Sequence, residues 1–217
     1  MDFRDLPWTW FADAAALLLI ASYHWHLLRQ VAQHPERTSI GRNRITRRRW
    51  LADVIERRAD ILAVQTLRNW AMTATFLAST AILIAVGIVH FIFVNEPGSA
   101  AATPLLRAEF AGTKLFLLAG VFFAAFFCFA QTLRALNHLG FEIVVATTDD
   151  FDAVLRHLHR HSDNFTLGMR CYYLSMPFSA WLFGAPHLLV ASVILVFLMQ
   201  RLDYRRSGEV SVLASKS

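Results

Sequence analysis

Two copies of a short motif place cationic and amide side chains at the ends of apolar segments. The first copy, QTLR, begins at Gln65 and is followed by Asn69, and the second begins at Gln131 and is followed by Asn137. Arginine is a permanent cation with several donors, and amides add donors without neutralising it. These residue types at this spacing predict a site that recognises an anion.

A third polar group, which contains Arg170, stands where a later apolar segment begins. Antiparallel neighbouring helices bring the start of one helix and the end of the next to the same membrane face. We therefore expect nine side chains to converge there: Gln65, Arg68, Asn69, Gln131, Arg134, Asn137, Arg170, Tyr172 and Tyr173. Such a cluster would form an anion site, or a ring that guards an anion pathway. The alternative is that these side chains bind lipid phosphates or satisfy carbonyl groups at helix ends.

Long uncharged runs supply the elements that must position these side chains. The chain has 217 residues, of which 56% are hydrophobic and 17% charged. A helix needs about 20 mostly apolar residues to cross a bilayer. Four segments qualify, and the last of them is interrupted by Pro177 and Pro186: 8–28, 70–94, 115–136 and 172–200. The sequence predicts one all-α membrane domain, a four-helix bundle, followed by a polar tail over 201–217.

The distribution of charge predicts the orientation of the bundle. The formal net charge is +5, and arginines are concentrated between Arg29 and Arg68. Basic loops remain in the cytoplasm, which places the N-terminus outside, and a bacterial inner membrane is the expected location. Because the excess lies on a short loop between spans, a nucleic-acid partner is not expected. Four spans would leave Arg201 outside, against this rule.

Two amphipathic segments are expected to lie on the cytoplasmic surface of the membrane. In each of them, apolar residues recur at helical spacing. The first segment contains Trp50, Leu51, Val54 and Ile55 and should bend into the second span; the second segment contains Phe151, Val154, Leu155 and Leu158.

No cofactor, metal ion or catalytic residue is predicted. His157 and His161 have the spacing of a metal-binding pair on a helix, but no nearby cysteine or glutamate completes a site, so a solvated surface is the better interpretation. The chain has no phosphate-binding glycine loop, no nucleophile elbow and no HExxH motif, and an enzyme is not indicated.

The second apolar segment carries a further set of motifs, at 63–69, 72–75 and 78–80. Together with Arg134, Asn137, 168–170, Tyr172, Tyr173 and Trp181, they make the chain resemble a family of small membrane proteins catalogued as domain of unknown function 599. The resemblance covers about residues 10 to 200. It implies a four-span membrane protein and no particular activity.

Two functional hypotheses follow from these patterns. The first is an oligomeric channel or carrier for a small anion, with Arg68, Arg134 and Arg170 as its selective ring. The second is a non-catalytic accessory subunit of a larger membrane complex. Expected partners are membrane lipids and either further copies of the chain or other membrane subunits. Small residues on the second span favour such helix association: Ala74, Ala78, Ala81 and Ala85.

Overall fold

The computed structural model describes residues 8–95 and 111–204, and these residues contain helices and turns but no strand. The described residues form six α-helices and two short 3-10 turns. The helices are α1 Trp8–Gln33, α2 Ser39–Arg57, α3 Asp60–Val94, α4 Ala111–Val145, α5 Phe151–Trp181 and α6 Ala185–Tyr204, and the turns are Pro35–Arg37 and Thr148–Asp150. The predicted all-α fold is confirmed.

Four of these helices, α1, α3, α4 and α6, are long and apolar enough to cross a membrane. The chain is therefore a membrane protein. Helices α3 and α4 have 35 residues each. At that length each is about 52 Å long, whereas the hydrocarbon core of a bilayer is about 30 Å thick. Both helices consequently extend well beyond the apolar layer.

Helices α3 and α4 form an antiparallel hairpin whose contact is built on small residues. Ala74, Ala78, Ala81 and Ala85 are between 0% and 7% exposed, and the last three pack in one cluster with Phe122 and other residues of α4. Small side chains let two helix backbones approach closely in lipid. The small face of α3 is thus buried inside the chain, although the sequence suggested that it would support association with another molecule.

Helix α5 differs from the expected architecture. The segment expected as a separate second interfacial helix is the first half of α5, and the range 172–200 is divided between α5 and α6. Pro177 lies inside α5 without ending it. The chain reverses instead at Gly184, whose φ of +123° is a conformation that residues with a Cβ rarely adopt.

Helix α5 runs antiparallel to α4 over the whole length of that helix. Lys114 near the start of α4 donates a hydrogen bond to the carbonyl of Trp181 at 3.4 Å, and Glu142 near its end contacts His157 at 2.8 Å. Helix α6 then returns parallel to α1 and ends beside the first residue of α2, where Ser39 contacts Asp203. We call this end of the molecule, which carries α2, the basic end.

Arg201 therefore lies at the same end as the arginines of α2. A bundle of only four spans, as expected from the sequence, would have placed it at the opposite end. Helix α5 accounts for the difference, because it adds one further passage between the two ends. Residues 205–217 of the expected tail lie outside the described residues.

Helix α2 is the amphipathic helix expected at this end. Its N-cap is Thr38, whose hydroxyl accepts a hydrogen bond from the Gly41 amide at 3.2 Å. Leu51, Val54 and Ile55 are buried in a cluster that also contains residues of α3, α4 and α5. Arg58 adopts a left-handed conformation, with φ of 52°, and ends the helix. Helix α3 then begins at Asp60, ten residues before the expected start of the second span at 70.

Candidate functional site

A buried ion pair joins helices α5 and α6 at the basic end. Arg170 donates from Nη2 to both carboxylate oxygens of Asp203, at 2.9 Å and 3.1 Å. The two side chains are only 11% and 7% exposed. Charged hydrogen bonds of this length are among the stronger ones in proteins. Asp203 lies in the last turn of α6, within the range that the sequence suggested was a polar tail.

Two hydroxyl groups complete the environment of this carboxylate. Tyr23 of α1 donates to Oδ2 at 2.5 Å, and Ser39 of α2 donates to Oδ1 at 3.1 Å. Each oxygen thus accepts one bond from Arg170 and one from a hydroxyl. We call these four residues the Asp203 junction, and it ties together α1, α2, α5 and α6.

The repeat of buried residues along α6 brings Asp203 to this position. The buried positions of the helix form one stripe, in which each is followed by another three or four residues later until Asp203: Ala185, Leu188, Ser192, Leu195, Val196, Met199 and Asp203. The buried positions of α1 follow the same rule through Tyr23. A carboxylate that continues a buried stripe is the signal by which the sequence could have identified this residue.

A cavity of about 400 Å³ lies next to the Asp203 junction, between α2, α3, α5 and α6. Its polar lining comes from Ser39, Asn43, Arg47, Ser162, Thr166, Arg170 and Asp203. Its apolar lining comes from Ile40, Trp70, Phe165, Met169, Tyr173, Met199 and Leu202. We call this space the arginine cavity. An apolar wall with a few converging polar groups is the usual composition of a small-molecule site.

Two guanidinium donors of residues that line this cavity have no hydrogen-bond partner among the described residues. Nη1 of Arg170 and Nε of Arg47 are both buried and form no hydrogen bond with the described residues. A guanidinium group can only donate, so water or a ligand oxygen must satisfy these atoms. A buried donor without an acceptor costs about 1–3 kcal/mol. Burial also lowers the pKa of Arg47; Asp163 opposes this shift and Arg44 adds to it.

The charges of the lining favour an anion of single charge. Arg47 and Arg170 contribute two positive charges, and Asp203 contributes one negative charge. Asp163 lies nearby, but it is engaged by Arg44 at 2.6 Å. The lining therefore has one positive charge in excess, together with two unsatisfied donors, which matches a carboxylate or another oxyanion.

Of the nine side chains predicted from the sequence, only Arg170 and Tyr173 line the arginine cavity. Tyr172 points away from it, since its hydroxyl donates to the Leu77 carbonyl at 2.7 Å. Gln131 and Arg134 line a second groove, between α4 and α5.

The remaining four predicted side chains lie on the outer faces of α3 and α4. Arg68 and Asn137 line a third groove, between these two helices. Gln65 and Asn69 are exposed on α3 and line none of the three spaces. Within one chain the nine residues thus form separate groups, and a ring of Arg68, Arg134 and Arg170 would require several copies.

Comparison with known proteins identifies the family. The sequence matches the family model described as protein of unknown function, DUF599, over residues 11–207. The chain belongs to the DUF599 family. No curated protein and no solved structure gives a significant match. The resemblance found in the sequence is confirmed, and the family description carries no activity.

Two histidines on α5 of this DUF599 protein contact different neighbouring helices. His157 contacts Glu142 at 2.8 Å, and His159 contacts the carbonyl of Arg44 at 3.3 Å. Within residues 8–95 and 111–204, no three His, Cys, Asp or Glu side chains are grouped so that they could hold a metal ion. The two histidines that have metal-binding spacing, His157 and His161, lie side by side, with ring centroids 6.4 Å apart.

Proposed function

We propose that this DUF599 protein is a membrane carrier that binds a small monovalent anion in the arginine cavity. The observation that carries the proposal is the pair of buried, unsatisfied guanidinium donors of Arg47 and Arg170. One oxyanion within reach of both would satisfy them and would balance the excess charge of the lining. This site replaces the three-arginine ring expected from the sequence.

The position of the cavity supports transport rather than binding alone. It lies beside the last turn of α6, a helix that is apolar enough to cross the membrane. One turn beyond the cavity, Pro177 has no amide proton, so the carbonyl of Tyr173 lacks its usual helical hydrogen bond. Interrupted helix bonding next to a site is a recurrent feature of membrane transporters.

The proposed orientation places the basic end in the cytoplasm. Of the arginine and lysine residues that the structure describes, Lys114 alone belongs to the opposite end, where it contacts Trp181. Such an asymmetry is what retention of positive loops in the cytoplasm produces. A bacterial inner membrane is the proposed location.

The test is anion flux through purified protein in liposomes, with nitrate and acetate as probes. Arg47→Gln removes the charge of one unsatisfied donor, while Arg49→Gln makes the same change at an exposed site on the same helix. A hydrogen bond to a charged group is worth about 1.5–3 kcal/mol. That range corresponds to a loss of affinity of about 10-fold to 150-fold. We expect this loss in Arg47→Gln and unchanged flux in Arg49→Gln.

Two other results would contradict the proposal. Normal flux in Arg47→Gln together with lost flux in Arg68→Gln would refute the cavity and favour the oligomeric arginine ring. If the folded, unmodified protein transports neither probe, the carrier proposal fails. The accessory subunit would then be the remaining hypothesis, and it predicts copurification with one stoichiometric membrane partner.

A further inference from the structure

The groove between α4 and α5 is a second positively charged space, and the proposed carrier function does not use it. Its volume is about 390 Å³. No residue that lines the arginine cavity also lines this groove. Its charged and titratable side chains are Arg134, His138 and Glu142 from α4, and His157, Arg160 and His161 from α5. We call it the histidine groove.

The acidic side chain that lines the histidine groove already has a hydrogen-bond partner. Glu142 accepts from His157 at 2.8 Å. Arg134 and Arg160 form no ion pair with any of the described residues, and both are exposed. Two permanent guanidinium charges therefore line a groove whose acidic side chain, Glu142, is hydrogen-bonded to His157. Like charges placed together are unfavourable, and a ligand of opposite charge removes that cost.

Neutral donors surround these two arginines. Nδ1 of His161 is buried and forms no hydrogen bond with the described residues. Gln131 and Asn164 add side-chain amides to the lining. An imidazole and an amide can each donate to an oxyanion. The groove thus offers two guanidinium groups and three further hydrogen-bond donors to a ligand with several acceptor oxygens.

We propose that the histidine groove binds a phosphomonoester dianion, either as a free phosphorylated solute or as the headgroup of a phosphomonoester lipid. Neither arginine is ion-paired with a described residue, and guanidinium groups bond phosphate oxygens in pairs.

The experiment is calorimetric titration of the purified protein at about pH 8, where a phosphomonoester is a dianion. The soluble probes are inorganic phosphate and glycerol phosphate, with nitrate as the monovalent comparison. Phosphatidic acid in nanodiscs of phosphatidylcholine represents the lipid source. Saturable binding of a soluble probe identifies a solute site, and binding confined to phosphatidic acid identifies a lipid site.

Three variants connect the binding to the groove. We expect Arg134→Gln and Arg160→Gln each to weaken phosphate binding at least tenfold, and Arg156→Gln, on an exposed position of the same helix, to leave it unchanged. Unchanged melting temperatures would show that the variants are folded. The proposal is overturned if neither source binds, or if both groove variants bind as tightly as Arg156→Gln.

Discussion

Asp203→Asn is the sharpest test of how the basic end is held together. The substitution keeps the shape of the side chain but removes its charge. Asp203 accepts four hydrogen bonds, from Tyr23, Ser39 and twice from Arg170. An asparagine in its place has only one oxygen, so at least one donor loses its acceptor. Arg170, at 11% exposure, keeps its charge without a counter-charge.

The expected cost is large because the pair is buried. Breaking a buried ion pair on one side costs about 3–5 kcal/mol. For a domain of this size, that free energy lowers the melting temperature by about 6–20 °C. The assay is thermal unfolding in detergent, followed by the fluorescence of the six tryptophans.

Asp163→Asn is the matched control. Asp163 and Arg44 are closer together, at 2.6 Å, but both side chains are 40% exposed. Solvent-exposed pairs contribute about 0–1 kcal/mol. The pair of Asp163 and Arg44 should therefore contribute less to stability than the buried pair of Asp203 and Arg170, although its distance is shorter. Equal melting temperatures for the two variants would refute this reasoning.

A double variant separates charge from shape. In Arg170→Met with Asp203→Leu, neither charge of the pair remains, and apolar replacement of a buried pair is often neutral or stabilising. We expect this variant to be more stable than Asp203→Asn, although it loses the arginine cavity. A double variant that is as unstable as Asp203→Asn would show that the unpaired charge is not the cause of the loss.

Two further predictions concern the basic end. Gly41→Ala should destabilise the protein by about 1–3 kcal/mol, since its Cβ would lie 2.0 Å from the Pro35 carbonyl oxygen, whereas Gly120→Ala meets open space and should melt no lower than the unmodified protein. Burial and the nearby Arg47 and Arg44 lower the pKa of His159. The folded protein therefore favours the neutral imidazole. The stability that His159 contributes is present above about pH 6.5 and is lost as the pH falls below that value. Melting temperatures between about pH 7.5 and 5 should fall less steeply in His159→Gln, and identical slopes would contradict this role.

The apolar helices could be predicted because their signal is long and uninterrupted. Segments of 20 or more apolar residues have few interpretations in a protein chain. The structure has four helices that are long and apolar enough to cross a membrane, although the expected segment 172–200 is divided between α5 and α6. The boundaries were less accurate, since a helix that leaves the apolar layer continues with polar residues, as α3 does between Asp60 and Trp70.

Helix α5 could not be read from hydropathy, because its character changes along its length. Its first half carries arginines and histidines, and its second half carries aromatic residues. Pro177 suggested an interruption, yet a proline removes one hydrogen bond and does not by itself end a helix that is packed on several sides. The reversal occurs at Gly184, where the backbone angle requires glycine.

Motif spacing does not show which side of a helix faces the core, so the sequence could not show how the predicted side chains are distributed. Arg170 lines the arginine cavity, whereas Arg68 and Arg134 line other grooves of the bundle. The partner of Arg170 was missed because Asp203 lies 33 residues away in the sequence. The two residues meet only because α5 runs away from the basic end and α6 runs back to it. The sequence alone did not show that α5 makes this additional passage.

The Asp203 junction also sets an order for biosynthesis. Asp203 is synthesised 33 residues after Arg170 and 180 residues after Tyr23. A charge without a partner is costly inside a membrane. Arg170 can therefore form its ion pair only after the last turn of α6 has been made. The final docking of α1, α2, α5 and α6 is in this way coupled to the completion of α6.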